Sequence, residues 1–581
     1  MSQANILIKR RQAPDTRPLL NSVHPVLARL FASRNIKSMD QLEYSLKNIL
    51  PFQGLKGIDQ AVARLVVALE KQHKIIIVGD FDADGATSTA LAIQSLELLG
   101  YKNIGYLVPN RFKFGYGLTP EIVEVAMQQK PNLIITVDNG ISSIEGVLTA
   151  NKLGIDVIVT DHHLAGSVIP DATAIVNPNQ PGCEFASKSL PGVGVIFYVM
   201  LALRAGLREL GWFKNNNIAE PNFAVLLDLL ALGIVADVVS LDYNNRILVS
   251  QGMARIRAGK TRPGIKALLD LSKRSARNLA TSDLGFSLAP RINAAGRLDD
   301  MSLGIECLLT KTMPEATRLA TQLNELNLTR RSIEDEMKQE ALLQLDTLSL
   351  DKDLPIGLCL FEQNWHEGVV GIVASRLKDK LHRPVIAFAQ TDSGDLKGSA
   401  RSVKGVHIRD VLDAIATRQP DLISRFGGHA MAAGLSLPAE QYTKFCQAFD
   451  EEVRLHLDES ELQGTILSDG VLQSEEIDIK LAEILREAGP WGQGFDEPVF
   501  DGVFDIVQKR IVGEKHLKLV LRLPGEQKVF DAIAFNVTDA NWPKEVNSVQ
   551  VAYRLDVNEF RGERNIQLML QYINPHSGVN P

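Results

Sequence analysis

Between residues 74 and 176 the chain alternates short, apolar, β-branched runs with longer helical patterns, and this alternation leaves few folds open to it. Lys74–Gly79, Ile104–Val108, Leu133–Val137, Ile155–Thr160 and Thr173–Val176 are rich in Ile and Val without polar alternation, as expected of strands covered on both faces. Ala86–Leu99, Pro120–Gln129 and Ser142–Leu153 between them read as helices. Strand and helix alternating at this spacing predict a parallel sheet with right-handed crossovers, hence an α/β domain.

Downstream, Val193–Leu207 and Asn222–Val235 are the clearest helical pieces. Pro314 opens a long helix to about Leu345, on which Ala316, Leu319, Leu323, Leu326, Ile333 and Met337 recur mostly at three- and four-residue steps or their sum. That stripe suits a connector between two lobes and a plain bundle helix equally. A second α/β unit begins near Leu354, with strands Ile356–Leu360 and Val385–Ala389 flanking a helix over Val370–Leu381. Beyond Phe500, the runs Phe504–Gln508, Leu517–Leu523, Lys528–Phe535, Val549–Leu555 and Asn565–Tyr572 suit a small five-stranded barrel of the oligonucleotide-binding (OB) type. The expected division is 1–50, 51–313, 314–348, 349–449, 450–480 and 481–581.

Hydrophobic residues at 45% and charged residues at 23% exclude disorder, collagen and coiled-coil rod. No apolar run reaches the roughly 18 residues of a membrane helix, and no apolar signal core follows Lys9, Arg10 and Arg11. Cys183, Cys307, Cys359 and Cys446 are too scattered for a CxxC metal pair or a disulfide framework, which points to a reducing cytoplasm. The net charge of −7 argues against a generic nucleic-acid coat, but ten acidic and two basic residues between Asp450 and Lys480 account for −8 of it. That stretch reads as a solvated acidic linker.

The carboxylates fall at strand ends. The first strand runs into Gly79-Asp80-Phe81-Asp82-Ala83-Asp84-Gly85, the third into Asp138-Asn139-Gly140, and the fourth into Asp161-His162-His163. Open parallel sheets place their active sites at this edge. Anions this crowded need cations to neutralise them, and carboxylates with one or two imidazoles suit Mn²⁺, then Mg²⁺. Asp80, Asp82 and Asp84 alternate, so an extended segment points all three one way. Asp237, after a nearly all-apolar helix, either caps the next element or points inward as a ligand; the shortage of ligands favours the second.

These motifs resemble the DHH phosphoesterase superfamily. Arg291-Ile292-Asn293-Ala294-Ala295-Gly296-Arg297, the run from Trp365 to Arg376, and Gly427-Gly428-His429-Ala430-Met431-Ala432-Ala433-Gly434 resemble its RecJ branch in detail, from about Pro51 to Tyr572. The resemblance implies a DHH-type domain and a DHHA1-type domain joined by the long helix, with an OB barrel after them. It implies a single-strand-specific DNA exonuclease of 5′→3′ polarity, acting in repair and recombination. It implies two divalent ions, Mn²⁺ or Mg²⁺, held by Asp82, Asp84, Asp138, His162 and Asp237, with Asp138 bridging and Asp80 a further ligand. Asp138, His162 and His163 form the catalytic set, and Asp161 orients a histidine. Such a pair of ions activates a water and stabilises the leaving oxygen. Arg291, Arg297, His366, Arg376, Ser399, Arg401, Gly428 and His429 are expected to grip DNA phosphates, Arg291 and Arg297 flanking a small-residue loop that can approach a backbone closely. Interleaved cations and aromatics over Arg111–Gly117 are a candidate base-stacking segment. In the barrel, Lys509, Arg510, Lys515, His516, Lys518 and Arg522 are either a DNA-facing cluster or solvated surface. Single-strand-binding protein and a RecQ-type helicase are the implied partners of a monomeric enzyme. The rival readings are a phosphodiesterase of short oligonucleotides or cyclic dinucleotides, and an inactive DNA-binding scaffold.

Overall fold

Five parallel strands form the first sheet, in the order Ile104–Leu107, Ile75–Gly79, Leu133–Val137, Asp156–Thr160, Ala174–Val176. The computed structural model describes residues 6–12, 19, 22–110, 116–351, 354–391, 393–457, 462–513, 516–535, 537, 546–560 and 563–576. Every residue of Ile75–Gly79 and Leu133–Val137 is buried, which explains their lack of polar alternation. Successive side chains enter different cores. Ile75 and Ile77 join the cluster containing Ala83–Leu99 and Gly192–Glu209, whereas Ile76 and Val78 pack with Ile122, Val123 and Val147. From Ile75–Gly79 the chain moves outward to the edge strand and returns on the other side as Leu133–Val137. The two central strands therefore flank a topological switch point, where a parallel sheet opens a crevice at its carboxyl edge.

The chain divides into two compact units, residues 11–327 with 468–581 and residues 1–10 with 328–467. The helix Met313–Asp351 belongs to the first unit up to Asn327 and to the second from Leu328. Its apolar stripe is used in both, through Ala316, Leu319, Ala320 and Leu323 and then Met337, Ala341 and Leu345, all buried. The second unit has a mixed sheet, Arg425–Gly428, Ala432–Leu437, Leu396–Arg401, Val385–Gln390, Leu358–Phe361, in which only the last pair is parallel. In the first unit Phe500–Val512, His516–Arg522, Val529–Phe535, Glu563–Pro575 and Ser548–Phe560 close into a barrel. Val529–Phe535 pairs in parallel with Glu563–Pro575, and Ser548–Phe560 pairs back onto Phe500–Val512, which closes the barrel and removes free edges. Among the described residues, no helix is long and apolar enough to cross a membrane.

Three expectations need correction. The 450–480 stretch is not a solvated linker: it finishes the helix Tyr442–Arg454, forms the strand Gly464–Ser468 paired with Ile6–Arg10, and enters the helix Ile479–Glu487. Two of its acids find distant cations, with Arg34 Nη1 donating to buried Asp469 at 2.8 Å and Arg418 pairing buried Glu452, while residues 458–461 lie outside the described residues. Asn222–Val235 is a 3₁₀ turn, Phe223–Leu226, followed by the helix Leu227–Ala236. The Arg291–Arg297 motif is not a loop but lies within the helix Ala289–Leu298.

The helix Leu227–Ala236 is anchored by a buried ion pair in its first turn. Asp228 accepts from Arg262 Nη2 at 2.7 Å, Arg262 N at 3.0 Å and Thr261 Oγ1 at 2.9 Å. Burial alone would raise its pKa, but Arg262 outweighs this and holds the carboxyl below its ordinary range. Asp228→Ala leaves Arg262 buried without its partner and is expected to cost about 3–5 kcal/mol in urea unfolding, recovered largely by adding Arg262→Met. Because the folded-state pKa is depressed, this stabilisation is present above the unfolded value of about 4 and is lost as pH falls through the folded value. The gap between wild type and Asp228→Asn should therefore narrow in acid.

Candidate active site

The strand Ile75–Gly79 ends against the helix that follows it: a Cβ on Gly85 would lie 2.4 Å from the Asp80 carbonyl oxygen. Asp82 caps that helix, its Oδ1 accepting from Asp84 N at 2.9 Å and Gly85 N at 3.0 Å. The helix consequently begins at Ala83, three residues earlier than expected. Asp80, Asp82 and Asp84 converge through a tight strand-to-helix turn, not by alternation along an extended segment. Asp84, only 1% exposed, accepts from Gly192 N at 2.7 Å and Val193 N at 3.1 Å, the amino end of the helix Gly192–Glu209.

Asp138, at the end of the neighbouring strand, has a left-handed backbone at φ 63°, costly for a residue with a Cβ. A Cβ on Gly192 would come within 2.5 Å of Asp138 Cβ, so the close approach of helix and strand end requires glycine. The next strand end brings His162, whose Nε2 lies 3.0 Å from Asp138 Oδ1 and 3.6 Å from Asp237 Oδ2. Asp237 arrives at the carboxyl end of Leu227–Ala236, as its cap, and points inward. Asp161 Oδ1 accepts from His162 N at 2.7 Å and His163 N at 3.1 Å, and lies 2.7 Å from His163 Nδ1. Three overlapping triads result: Asp80–Asp82–Asp138, Asp84–His162–Asp237 and Asp138–His162–His163, each with ligand atoms within 4.8 Å of one another.

The electrostatics follow from crowding. Burial and then the charge of Asp82 push Asp84 up to about 7, against the pull of the two backbone donors. Burial and neighbouring carboxylates likewise raise Asp138 and Asp237 well above the ordinary range. His163 goes the other way. Burial would lower it, but Asp161 and the nearby Asp80 and Asp82 raise it to about 9. A bound cation reverses the logic for the acids by favouring their charged form. Asp138 Oδ1 and Asp237 Oδ2 are buried and accept no hydrogen bond, so oxygens with an imidazole between them are left for a hard divalent ion. The residues present fit Mn²⁺ or Mg²⁺.

Several members of the site are not among the ligands and catalytic residues expected from the sequence. Gly192 follows a proline and reads as a turn. Asn293 Oδ1 accepts from Ala83 N at 2.7 Å, and a Cβ on Gly296 would lie 1.8 Å from the Phe81 carbonyl oxygen. The small residues of the Arg291–Arg297 motif thus seat a helix on the acidic turn. Arg291 Nε donates to Asn324 at 3.0 Å, within the same unit, and Arg297 lies in the helix's last turn. Asn177 and Asn179 donate to the His163 and His162 carbonyls at 2.9 and 2.6 Å. The Tyr116 hydroxyl lies 3.3 Å from His163 Nδ1, whereas residues 111–115 of the candidate stacking segment lie outside the described residues.

In the second unit, Arg401 Nη1 donates to Ser399 Oγ at 3.0 Å, and a Cβ on Gly371 would meet both side chains at 2.9 Å. This gathers a helix amino end, a hydroxyl and a guanidinium. Ala432 pairs with Arg401, which brings the Gly428–His429 hairpin end to the same sheet edge. His366 Nδ1 accepts from Gly368 N at 3.0 Å, and Arg376 Nε donates to Glu334 at 2.9 Å. In the barrel Lys518 pairs with Asp531 at 3.1 Å and Arg522 with Asp505 at 3.9 Å, so part of the basic cluster is neutralised locally. Lys515 lies outside the described residues.

Known proteins match the whole arrangement. The DHH family N-terminal domain matches residues 74–234, the DHHA1 domain 355–455, and the RecJ OB domain 468–572. A single-stranded-DNA-specific exonuclease RecJ of Salmonella typhimurium is 55% identical over 98% of this chain and 99% of its own. The crystal structure of RecJ with Mn²⁺ from Thermus thermophilus superposes with a TM-score of 0.81 at 28% identity, covering 99% of this chain and 80% of that one. The Mg²⁺ complex of the same protein gives 0.75 at 27% identity, covering 99% and 79%.

Gly192→Ala drives a methyl into Asp138 and is expected to weaken Mn²⁺ binding by about ten- to a hundredfold while leaving the far-UV spectrum intact. Calorimetric titration showing unchanged affinity would contradict the packing argument.

Proposed function

The chain belongs to the RecJ family of DHH phosphoesterases, and from that premise we propose that Asp80, Asp82, Asp84, Asp138, His162 and Asp237 hold two divalent ions with Asp138 between them. The enzyme is a single-stranded-DNA-specific exonuclease dependent on Mn²⁺ or Mg²⁺. The observation that carries the assignment is the meeting of three strand ends and one helix end in three triads, each within 4.8 Å, that overlap at Asp138 and His162. When bound, the ions supply a water of lowered pKa and charge for the departing oxygen.

The chain's own residues do the rest. The Gly192 and Val193 N–H groups fix Asp84, so its oxygens need no rearrangement. Asp161 fixes the His163 ring and, against burial, favours its protonated form. The imidazole is placed to contact the scissile phosphate and to hold a proton. The helix start at Gly371 with Ser399, Arg401 and the His429 hairpin end offers backbone donors and a guanidinium to further phosphates. His366 and Arg376 add phosphate contacts in the same unit, and Arg291 and Arg297 add theirs in the unit that carries the carboxylates. The closed barrel supplies a second single-strand platform. Digestion from the 5′ end in repair and recombination, as a monomer beside single-strand-binding protein and a RecQ-type helicase, rests on the resemblance. A reducing cytoplasm is supported by four free thiols. The barrel argues against a dinucleotide phosphodiesterase, and the intact ligand set argues against an inactive scaffold.

Asp138→Ala is expected to abolish hydrolysis of 5′-ended single strands while metal-free DNA binding persists. Degradation of strands labelled at either end, with each metal and at stated salt, checks both polarity and the role of Asp138. Parallel loss of binding and cleavage would count against the assignment.

A further inference from the structure

Asp237 ends the helix Leu227–Ala236, its N–H donating to the Gly233 carbonyl at 3.0 Å, and the chain leaves helical geometry immediately after it. It caps one helix, Val238 follows with φ 58°, and the connector runs through Ser240 and Leu241 to Asp242, which caps the helix Tyr243–Arg257. The near side of this connector is tied within the catalytic domain: Asn245 Nδ2 donates to the Ser240 carbonyl at 2.9 Å, Arg246 Nη1 to the Leu241 carbonyl at 2.9 Å, and Ser187 Oγ to Asp242 at 2.5 Å.

The far side is held by the segment that leads into the barrel. Leu241 N donates to the Gln493 carbonyl at 2.7 Å. Gln493 sits in a tight turn closed by Gly492 N to Phe495 O at 2.9 Å and Phe495 N to Gly492 O at 3.1 Å. The turn is itself immobilised. Phe495 stacks on Trp491 at 5.0 Å, Arg246 lies over Phe495 at 4.4 Å, and Thr281 Oγ1 donates to the Trp491 carbonyl at 2.5 Å. Contact with the connector is close at two glycines, and the left-handed backbone of Gly494 requires glycine there. A Cβ on Gly494, at φ 71°, would lie 2.3 Å from Ser240 Oγ, and one on Gly492 would lie 2.7 Å from Leu241 Cδ1.

We propose that the Gly492–Phe495 turn is a positioning element for the metal site: it sets the Ser240–Leu241 connector and through it Asp237, so the lead segment of the barrel takes part in catalysis as well as in tethering DNA. The proposal rests on the assignment of Asp237 as a ligand. Its test uses the full-length protein and Mn²⁺ alone, titrated calorimetrically and by the spin-resonance signal of free Mn²⁺, with metal-free DNA binding and circular dichroism alongside. Gly494→Ala and Gly492→Ala are expected to raise the Mn²⁺ dissociation constant by about tenfold or more, with DNA binding and fold unchanged. Ser240→Ala removes the 2.3 Å contact and leaves the next at 3.3 Å, so Ser240→Ala with Gly494→Ala should recover the part of the loss due to that contact, the backbone strain at φ 71° remaining. Wild-type Mn²⁺ affinity in both glycine variants overturns the proposal. If Gly494→Ala does not fold, Gly492→Ala decides by the same measure. Asp237→Asn separates the two readings. Unchanged Mn²⁺ affinity there removes the ligand assignment, whereas its loss there but not in the glycine variants removes only the positioning role.

Discussion

The structure is organised around a repulsion. Asp80, Asp84 and Asp138 are buried, with half-buried Asp82 and Asp237 beside them, and neighbouring carboxylates raise the cost of ionising Asp84, Asp138 and Asp237. Such an arrangement survives only if the scaffold fixes every member and an external cation completes it. The parallel sheet fixes two strand ends side by side, a helix amino end clamps Asp84, and Asp138 is kept in a left-handed backbone. The cluster is a preformed anionic socket, which is why divalent metal dependence follows from the fold.

The same constraint explains where glycine is required. Gly192 lets a helix touch Asp138, and Gly85 lets the helix start fold over Asp80. Gly296 seats a helix on Phe81 between the two outer carboxylates of the acidic turn. Backbone packed this closely leaves the carboxylates little freedom to move apart, so the site is held ready to bind metal.

Much of this was legible in the sequence. The Ile/Val runs at 75–79, 133–137 and 156–160 read as covered strands and are so, with Asp138 and the Asp161–His163 run directly after the last two, whereas Ile104–Leu107 is a half-buried edge strand. What was not legible depends on partners distant in the chain. The dense acids of 450–480 looked solvated because Arg34, which pairs with Asp469, lies 435 residues away. The Arg291–Arg297 motif looked like a loop because its small residues are selected by a helix-to-turn contact that no local pattern records. Asp80, Asp82 and Asp84 converge, but by helix capping and not by strand alternation.

The net charge of −7 is likewise the sum of unlike terms, some of them carboxylates meant for metal and others meant for buried arginines. It says little about affinity for a polyanion. The central claim is that the sheet edge binds two ions sharing Asp138. Spin-resonance titration of the full-length protein with Mn²⁺ tests it directly. The account predicts two ions per chain with the exchange-coupled spectrum of metals about 3.5–4 Å apart, a spectrum abolished by Asp138→Ala. A single ion, or two uncoupled ones, would contradict it.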